Sequence, residues 1–358
     1  MTKLDLNQPY IPTDLFPKIV SHVRYRHTLL SLQKTCKAFF PLATTILYQH
    51  VRLPDAIKFN WFLRTIHRHV EDQDQGSLEA YAKYRVGIYR SSVREVSLDL
   101  IPSVILLPNL PPSPPADTNN HGVYLPHCHT LRLTKNASSN TESVIPRTKD
   151  SIALSIDPFT QLVNPEKIEL HKPRMEERQA TEDWVLLFTE LCTAWTKVRR
   201  IDIYGGNLRG MKTLSESEDV EHHFHITPTG RQGYGTVPGF LEVYPRDGVG
   251  REEDQAQVEM QHWIKIRRSA EEIYKLIKPP FSHGSSPNQA SRSRWTIHLP
   301  YRFGSETIKW DQIDDMESMV IGLVGIRIPE RYDEVVEDLM VDGKQRQRLT
   351  RIRWRIEG

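Results

Sequence analysis

The sequence predicts a mixed α and β chain, in which a short N-terminal helical domain precedes an irregular α/β solenoid. Two observations lead to this prediction. Residues 11–53 place apolar side chains at helical spacing, and the rest of the chain repeats the pattern apolar-x-x-apolar-x-apolar, which is typical of half-buried strands. Amphipathic helical segments separate several of these strands, and the order strand, helix, strand implies right-handed parallel units.

The composition is that of an ordinary soluble chain. Hydrophobic residues make up 38% of the 358 residues and charged residues 26%, which allows a sizeable core in one or two domains. The formal charge of +2 gives no general attraction to nucleic acid or to anionic membranes. No apolar run approaches the ~18 residues of a membrane span, and the N-terminus lacks the apolar stretch of a secretory signal.

The cysteine content points to a reducing compartment. The chain has three cysteines, Cys36, Cys128 and Cys192, which lie far apart in the sequence. An odd number at such spacing does not suit a disulfide framework, so we expect the protein in the cytoplasm, the nucleus or both. Cys192 has apolar neighbours at helical spacing, which predicts a buried, inert thiol.

Three short helices are predicted between residues 11 and 53. The first begins near Pro12, and its apolar residues cover about 140° of the helix surface, against ~100° for an ordinary surface helix. The hydroxyl of Thr28 is expected to cap the second helix, and the third runs from about Pro41 to Gln49. So short a segment rarely buries its apolar surface alone, which favours a protein partner. Core helices of a larger domain are the alternative.

The order of residues in this segment resembles the F-box, in the style common among fungal F-box-like proteins. The match spans Ile11-Pro12-x-Asp14-Leu15, Ile19, Leu29-Leu30-Ser31-Leu32, Thr35-Cys36-Lys37, Pro41-Leu42-Ala43 and Leu47-Tyr48-x-x-Val51-x-Leu53. Two positions depart from the family pattern. Ile11 replaces the usual Leu, and Phe39 and Phe40 lie near the place where a Trp is common.

The resemblance implies that residues 1–55 dock on the Skp adaptor protein of a cullin–RING ubiquitin ligase, while residues 56–358 capture a protein substrate. The chain would then be a non-catalytic adaptor without a cofactor, and it would bind neither nucleic acid nor membrane. The docking candidates carried over from the family are Ile11, Pro12, Leu15, Ile19, Leu29, Leu30, Leu32 and Cys36, of which Cys36 is expected to pack between the helices. The alternative is a free-standing binding protein whose degenerate F-box caps the repeats, which predicts that Leu15 and Leu30 are buried.

The strand pattern after residue 55 resembles a degenerate leucine-rich repeat. One copy begins at Cys128 and ends at Asn136, which completes the consensus of that repeat. Such units stack into an open curved solenoid, whose polar strand positions line a concave face. A generic α/β sheet is the alternative. The other copies begin at Val93, Val198, Leu323 and Leu349, and weaker ones contain Ile168 with Leu170, Leu241 with Val243, and Ile297 with Leu299.

Two further segments suggest chemistry. The run Glu221-His222-His223-Phe224-His225 contains good zinc ligands, but no paired Cys-x-x-Cys or His-Glu-x-x-His spacing accompanies it, so polar positions on a strand are the favoured interpretation.

Near the C-terminus, arginines at 351, 353 and 355 alternate with Ile352, Trp354 and Ile356, which predicts a terminal strand with one buried and one basic face. The basic face either recognises an acidic or phosphorylated partner or is a solvated edge protected by its charge.

Overall fold

The structure is a computed structural model that falls into two compact units, residues 1–132 with 157–165 and residues 133–156 with 166–358. The residues it describes are 13–35, 37–67, 76–99, 123–134, 160, 162–171, 190–204, 219–226, 260, 264, 267, 270–271, 273–277, 294–300, 302–303, 306–307, 310–341 and 343–357. Among these residues, no helix is both long enough and apolar enough to cross a membrane.

The first unit begins with the three predicted helices. A 3₁₀ turn (Thr13–Leu15) leads into α1 (Phe16–Ser21), which is followed by α2 (Arg26–Thr35) and α3 (Phe39–Tyr48). The predicted cap at Thr28 is wrong. The carbonyl of Tyr25 accepts the N–H groups of Thr28 at 3.1 Å and Leu29 at 3.2 Å, so the helix starts earlier and Thr28 lies inside its first turn.

A small apolar interior holds these helices together. Val20 of α1, Leu29 of α2 and Ala43 of α3 are buried against one another, and the rings of Phe16 and Phe39 lie 4.6 Å apart. Each side chain as large as Val or Leu that is fully removed from water contributes about 1.5–3 kcal/mol. Half-buried apolar residues surround this interior: Val23, Leu32, Leu42, Ile46 and Leu47.

The remainder of the first unit joins these helices to a parallel sheet. It contains β1 (His50–Leu53), α4 (Ala56–His67), α5 (Gly76–Ser92), β2 (Glu95–Leu98) and most of β3 (Thr130–Leu133). Tyr89 of α5 packs on α3, with its ring 4.7 Å from Tyr48 and 6.0 Å from Phe40. The predicted boundary at residue 55, between a docking domain and a substrate-binding region, stays a prediction. The compact unit does not end there, because it contains both the N-terminal helices and the first strands.

The strands of the first unit lie in chain order. β1 pairs with β2 in parallel, from His50 opposite Glu95 to Leu53 opposite Leu98, and β3 lies beside β2. One face carries apolar side chains and is buried, as an alternating pattern requires. The other face is polar, and its charges pair across the strands: Arg52 with Asp99 at 2.7 Å and Arg132 with Glu95 at 3.1 Å.

The second unit contains a longer parallel sheet, also in chain order. Its strands are β4 (Lys167–His171), β5 (Arg200–Tyr204), β6 (Glu221–His225), β7 (Arg294–Pro300) and β12 (Ile352–Glu357), and every neighbouring pair runs parallel. The predicted mixed α and β class, with a mostly parallel sheet, is therefore confirmed. Between β7 and β12 the short strands β8 (Arg302–Phe303) and β9 (Glu306–Thr307) form an antiparallel pair of their own.

One predicted strand is a helix. The copy that begins at Leu323 lies in α6 (Trp310–Arg327), where Ile313, Met316, Val320 and Val324 are buried at helical spacing. Ile326, which the strand pattern would have placed among the apolar positions, is 81% exposed. The pattern apolar-x-x-apolar-x-apolar misleads here because the segment is apolar enough to fit it, whereas the fully buried residues, such as Val320 and Val324, recur every third or fourth residue as in a helix.

A β-hairpin follows that helix. The predicted helix over 332–339 is present only as α7 (Tyr332–Val335), after which β10 (Val336–Val341) pairs antiparallel with β11 (Lys344–Leu349). Gly343 has a φ of 75°, a conformation that favours glycine, in the short connection between Val341 and Lys344.

Some predicted elements fall wholly or partly outside the described residues. Asn136, Leu241 and Val243 lie outside them. The helices predicted around 184–195 and 263–277 are described only in part, with residues 190–194 and 273–277 helical.

Candidate functional site

The predicted docking residues separate into an exposed and a buried group. Leu15, Ile19 and Leu30 are 38%, 41% and 38% exposed. Leu29 is buried between Val20 and Ala43, so it holds the helices together and is not available to a partner. Leu32 is half-buried against the same interior. Ile11, Pro12 and Cys36 lie outside the described residues.

A second candidate surface lies on the sheet of the second unit. The parallel strands pair in register, and side chains two residues apart point to the same side of a strand. One side, which is called the apolar face below, is buried through Ile168, Leu170, Ile201, Ile203 and Phe224. The opposite side, called the polar face below, carries Lys167, Glu169, His171, Arg200, Asp202, Tyr204, Glu221, His223, His225, Arg294, Thr296, His298, Arg353 and Arg355.

Asp202 is the centre of charge pairing on the polar face. Its side chain is fully buried, and its carboxylate lies 2.8 Å from Nζ of Lys167, 2.9 Å from Nη2 of Arg200 and 3.1 Å from Nε2 of His225. Burial alone would raise the pKa of this carboxyl group, but these three hydrogen-bonding neighbours outweigh it and hold the pKa well below its ordinary value. Asp202 is therefore ionised at neutral pH and serves as an anchor for side chains of three strands.

Four rings form a stacked column across β4, β5, β6 and β7. This ring column consists of His171, Tyr204, His225 and His298, one from each strand, at positions that pair in register. The centroids are 4.6, 4.3 and 4.1 Å apart and the planes deviate by only 9°, 13° and 14°. Stacking of this kind fixes the orientation of the rings, and His298 at the end of the column is buried.

Sequence reasoning missed the ring column, although a signal exists. The four strands read KIELH, RIDIY, EHHFH and RWTIH, where the ring always occupies the fifth position. Each ring is an unremarkable residue within its own strand, and only an alignment of strands with one another would have found the column. The strands begin between 21 and 73 residues apart, so no regular period draws attention to it.

The histidines of β6 are tied into hydrogen bonds and ring contacts with their neighbours on the sheet. Nδ1 of His223 lies 2.9 Å from Nε2 of His298, while its Nε2 lies 3.3 Å from Glu221. His222 points to the apolar face and stacks on Trp295 at 4.7 Å, and burial lowers its pKa to about 3. Among the described residues, no three His, Cys, Asp or Glu side chains converge so as to hold a metal ion.

The described cysteines are also poor candidates for chemistry. Cys128 and Cys192 are both buried and free of disulfides. Burial raises the pKa of each thiol to about 12, so neither is a thiolate at neutral pH. The predicted burial of Cys192 is confirmed.

The C-terminal strand has the two faces that alternation predicts. β12 pairs with β7 in parallel, and Ile352 is buried while Trp354 and Ile356 are half-buried. Arg353 and Arg355 are exposed on the polar face, and neither forms an ion pair with a described residue. This basic face continues the polar face to the last strand of the sheet.

Comparison with models of protein families, with curated proteins and with solved structures finds no match for this chain. The resemblance to the F-box therefore rests on the residues between Ile11 and Leu53. The geometry defines a mixed α/β protein with exposed apolar side chains on its N-terminal helices and a polar face of charges and rings on its sheet.

Proposed function

We propose that this protein is the substrate-recognition adaptor of a Skp–cullin–F-box ubiquitin ligase. The N-terminal helices dock on the Skp adaptor protein, the sheet region captures a protein target, and the chain itself catalyses nothing. Its contribution to ubiquitin transfer is proximity, since it holds the target beside the charged carrier of the ligase.

The observation that carries this proposal is that the apolar residues of the helices fall into a buried group and an exposed group. Val20, Leu29 and Ala43 close an interior, whereas Leu15, Ile19 and Leu30 remain exposed at 38–41%. The side chains that a free-standing helical cap should bury are thus in contact with water. Large apolar side chains exposed in this way favour a protein interface.

The sheet supports the second half of the proposal. Within each unit the parallel strands follow chain order without the reversal found in doubly wound sheets, as expected for a degenerate leucine-rich-repeat-like solenoid. On the described strands, the polar face holds ordered charges and rings. Such a surface suits recognition of a protein.

The proposal is tested by co-purification of the full-length chain with the Skp adaptor. The double variant Leu15→Asp/Leu30→Asp should reduce affinity by about 100-fold or more, because two apolar contacts of about 1.5–3 kcal/mol each are lost. Ile57→Asp/Ile326→Asp is the matched control, since it alters two exposed apolar side chains that are not among the predicted docking residues. Circular dichroism verifies that both variants fold.

The alternative is a free-standing repeat protein with a degenerate F-box. It is favoured if the wild-type chain does not retain the Skp adaptor at all, or if both double variants bind equally well. A selective loss in the Leu15→Asp/Leu30→Asp variant supports the adaptor.

A further inference from the structure

We infer that the outer edge of β12, which pairs with no described strand other than β7, accepts an extended segment of a partner protein in which acidic and apolar residues alternate. This segment adds to the sheet as a further strand. The inference deepens the proposed function by naming the class of target, and it rests on that function for its place in a ligase. Its test below is independent of Skp docking.

The first argument concerns the backbone of β12. Among the described residues, β12 pairs only with β7 and is the last strand of its sheet. The N–H of Trp295 donates to the carbonyl of Arg351 at 2.8 Å. In a parallel ladder the residues that bond to one neighbour alternate with those that point away, so the N–H and C=O groups of Ile352, Trp354 and Ile356 are directed to the outer edge. They form a template for another strand.

The second argument concerns the incomplete burial of the apolar face at this edge. In the interior strand β5, Ile201 and Ile203 are 0% and 4% exposed. In β12 only Ile352 is buried, whereas Trp354 and Ile356 stay half-buried. An added strand with apolar residues at alternate positions would cover both side chains in the way that a neighbouring strand covers those of β5.

The third argument is charge complementarity on the polar face. Arg353 and Arg355 are exposed, lie about 6.7 Å apart along the strand, and have no ion-pair partner among the described residues. Acidic side chains two residues apart on an added strand match this spacing. Across a strand pair, opposite charges stabilise and like charges destabilise the pairing.

The same charges select the partner. If a second copy of β12 paired with the first, arginine would face arginine, which disfavours self-association through this edge. An acidic segment is attracted by the arrangement that repels another copy. The occupant that the edge fits is therefore an acidic, alternating segment of a different protein.

The probe is a fluorescently labelled peptide of about eight residues in which Glu and Val alternate, titrated into the full-length chain without the Skp adaptor. A block peptide of the same composition, with all Glu before all Val, is the matched control. We expect saturable binding of the alternating peptide and at least about tenfold weaker binding of the block peptide. The variant Arg353→Glu/Arg355→Glu should weaken the alternating peptide by about tenfold, because two attractive pairs become repulsive.

A second pair of probes separates strand addition from a purely ionic contact. Two further peptides carry N-methyl groups at alternate residues, one on every Glu and the other on every Val. The peptide whose methylated nitrogens face β12 should lose binding, and the other should bind like the parent. If both methylated peptides bind like the parent, or if the block peptide binds equally well, the inference is overturned. It is also overturned if sedimentation shows self-association that Arg353→Glu/Arg355→Glu removes, since the edge would then bind a second copy.

The outcome for the inference can be told apart from that for the proposed function. The Arg353→Glu/Arg355→Glu variant should retain the Skp adaptor as well as the wild-type chain does. Absence of peptide binding by the wild-type chain, with intact Skp docking, overturns only the nature of the target. Peptide binding without Skp docking leaves the strand edge in place and removes the ligase.

Discussion

Asp202 of β5 accepts a hydrogen bond from Nε2 of His225 of β6 at 3.1 Å, and this contact links the charged centre of the polar face to its ring column. An ionised carboxylate can only accept, so the imidazole must carry its proton on Nε2. His225 then stacks between Tyr204 and His298, at 4.3 Å and 4.1 Å. The orientation of the rings thus depends on a buried charge.

The first prediction follows from that charge. Asp202→Asn preserves the shape of the side chain but removes the ion pairs with Lys167 and Arg200, and it should lower the free energy of unfolding by about 3 kcal/mol. The two cations are partly exposed and regain water, which keeps the loss at the lower end of the range. Urea denaturation at pH 7 measures it. The exposed Asp333→Asn is the control, and an equal effect in both variants contradicts the role of Asp202.

The second prediction concerns pH and His222. Its pKa is about 3 in the folded chain against an ordinary value of 6.5, so between these values the unfolded state binds a proton that the folded state does not. Stability must therefore fall as the pH drops from 6.5 toward 3, by at most about 1.4 kcal/mol per pH unit from this group.

The variant His222→Phe isolates this contribution, because the new ring can still stack on Trp295 but does not titrate. Between pH 6.5 and pH 5 the wild-type chain should lose about 1.6 kcal/mol more than the variant in urea denaturation. His127→Phe, at an exposed position, is the control for the substitution itself. Identical slopes for wild type and His222→Phe would show that His222 is not held neutral.

The third prediction tests the helix that replaced a predicted strand. Val324 is fully buried while Ile326 is 81% exposed, since residues two apart lie on nearly opposite sides of a helix. Val324→Asp should therefore lower the free energy of unfolding by more than about 3 kcal/mol, whereas Ile326→Asp should change it by less than about 0.5 kcal/mol. In a strand the two side chains would share a face, and comparable losses in both variants would indicate that arrangement.

The fourth prediction concerns the attachment of the hairpin β10–β11 to α6. The buried carboxylate of Glu317 accepts the backbone N–H of Leu349 at 2.9 Å and also binds Nη1 of Arg348. Burial raises the pKa of Glu317, and the contacts with Leu349 and Arg348 oppose that rise. These groups lie beside a cleft of about 640 Å³ that Asp314 and Arg346 also line.

A double-mutant cycle with Glu317→Ala and Arg348→Ala should give a coupling energy of about 1 kcal/mol or more. The exposed pair Asp55 and Lys58, 3.9 Å apart, should give less than about 0.5 kcal/mol in the same cycle. Hydrogen exchange offers a local measurement, because the amide of Leu349 should lose protection in Glu317→Ala. Unchanged exchange at Leu349 would contradict the contact.

Several elements were predictable because their signals are local. The alternation of Arg353 and Arg355 with Ile352 and Trp354 predicts β12 with both of its faces, since a period of two belongs to a strand in any context. The start of α2 and the start of β10 were harder, because helix boundaries and short hairpins depend on which carbonyl or neighbouring strand is present. The start of α2 at Arg26 rather than Thr28 depends on one carbonyl, that of Tyr25.

The candidate site divides in the same way. The sequence alone determined the element types of the N-terminal helices, the apolar and polar alternation of the sheet strands, and the resemblance of residues 11–53 to the F-box, all of which depend on neighbours within a few residues. Tertiary structure decided which apolar side chains stay in water, such as Leu30 rather than Leu29, and it brought His171, Tyr204, His225 and His298 into one column. Burial and cross-strand stacking both bring together residues that lie far apart in the chain. They therefore depend on how the helices pack and how the strands pair, and not on neighbouring residues in the sequence.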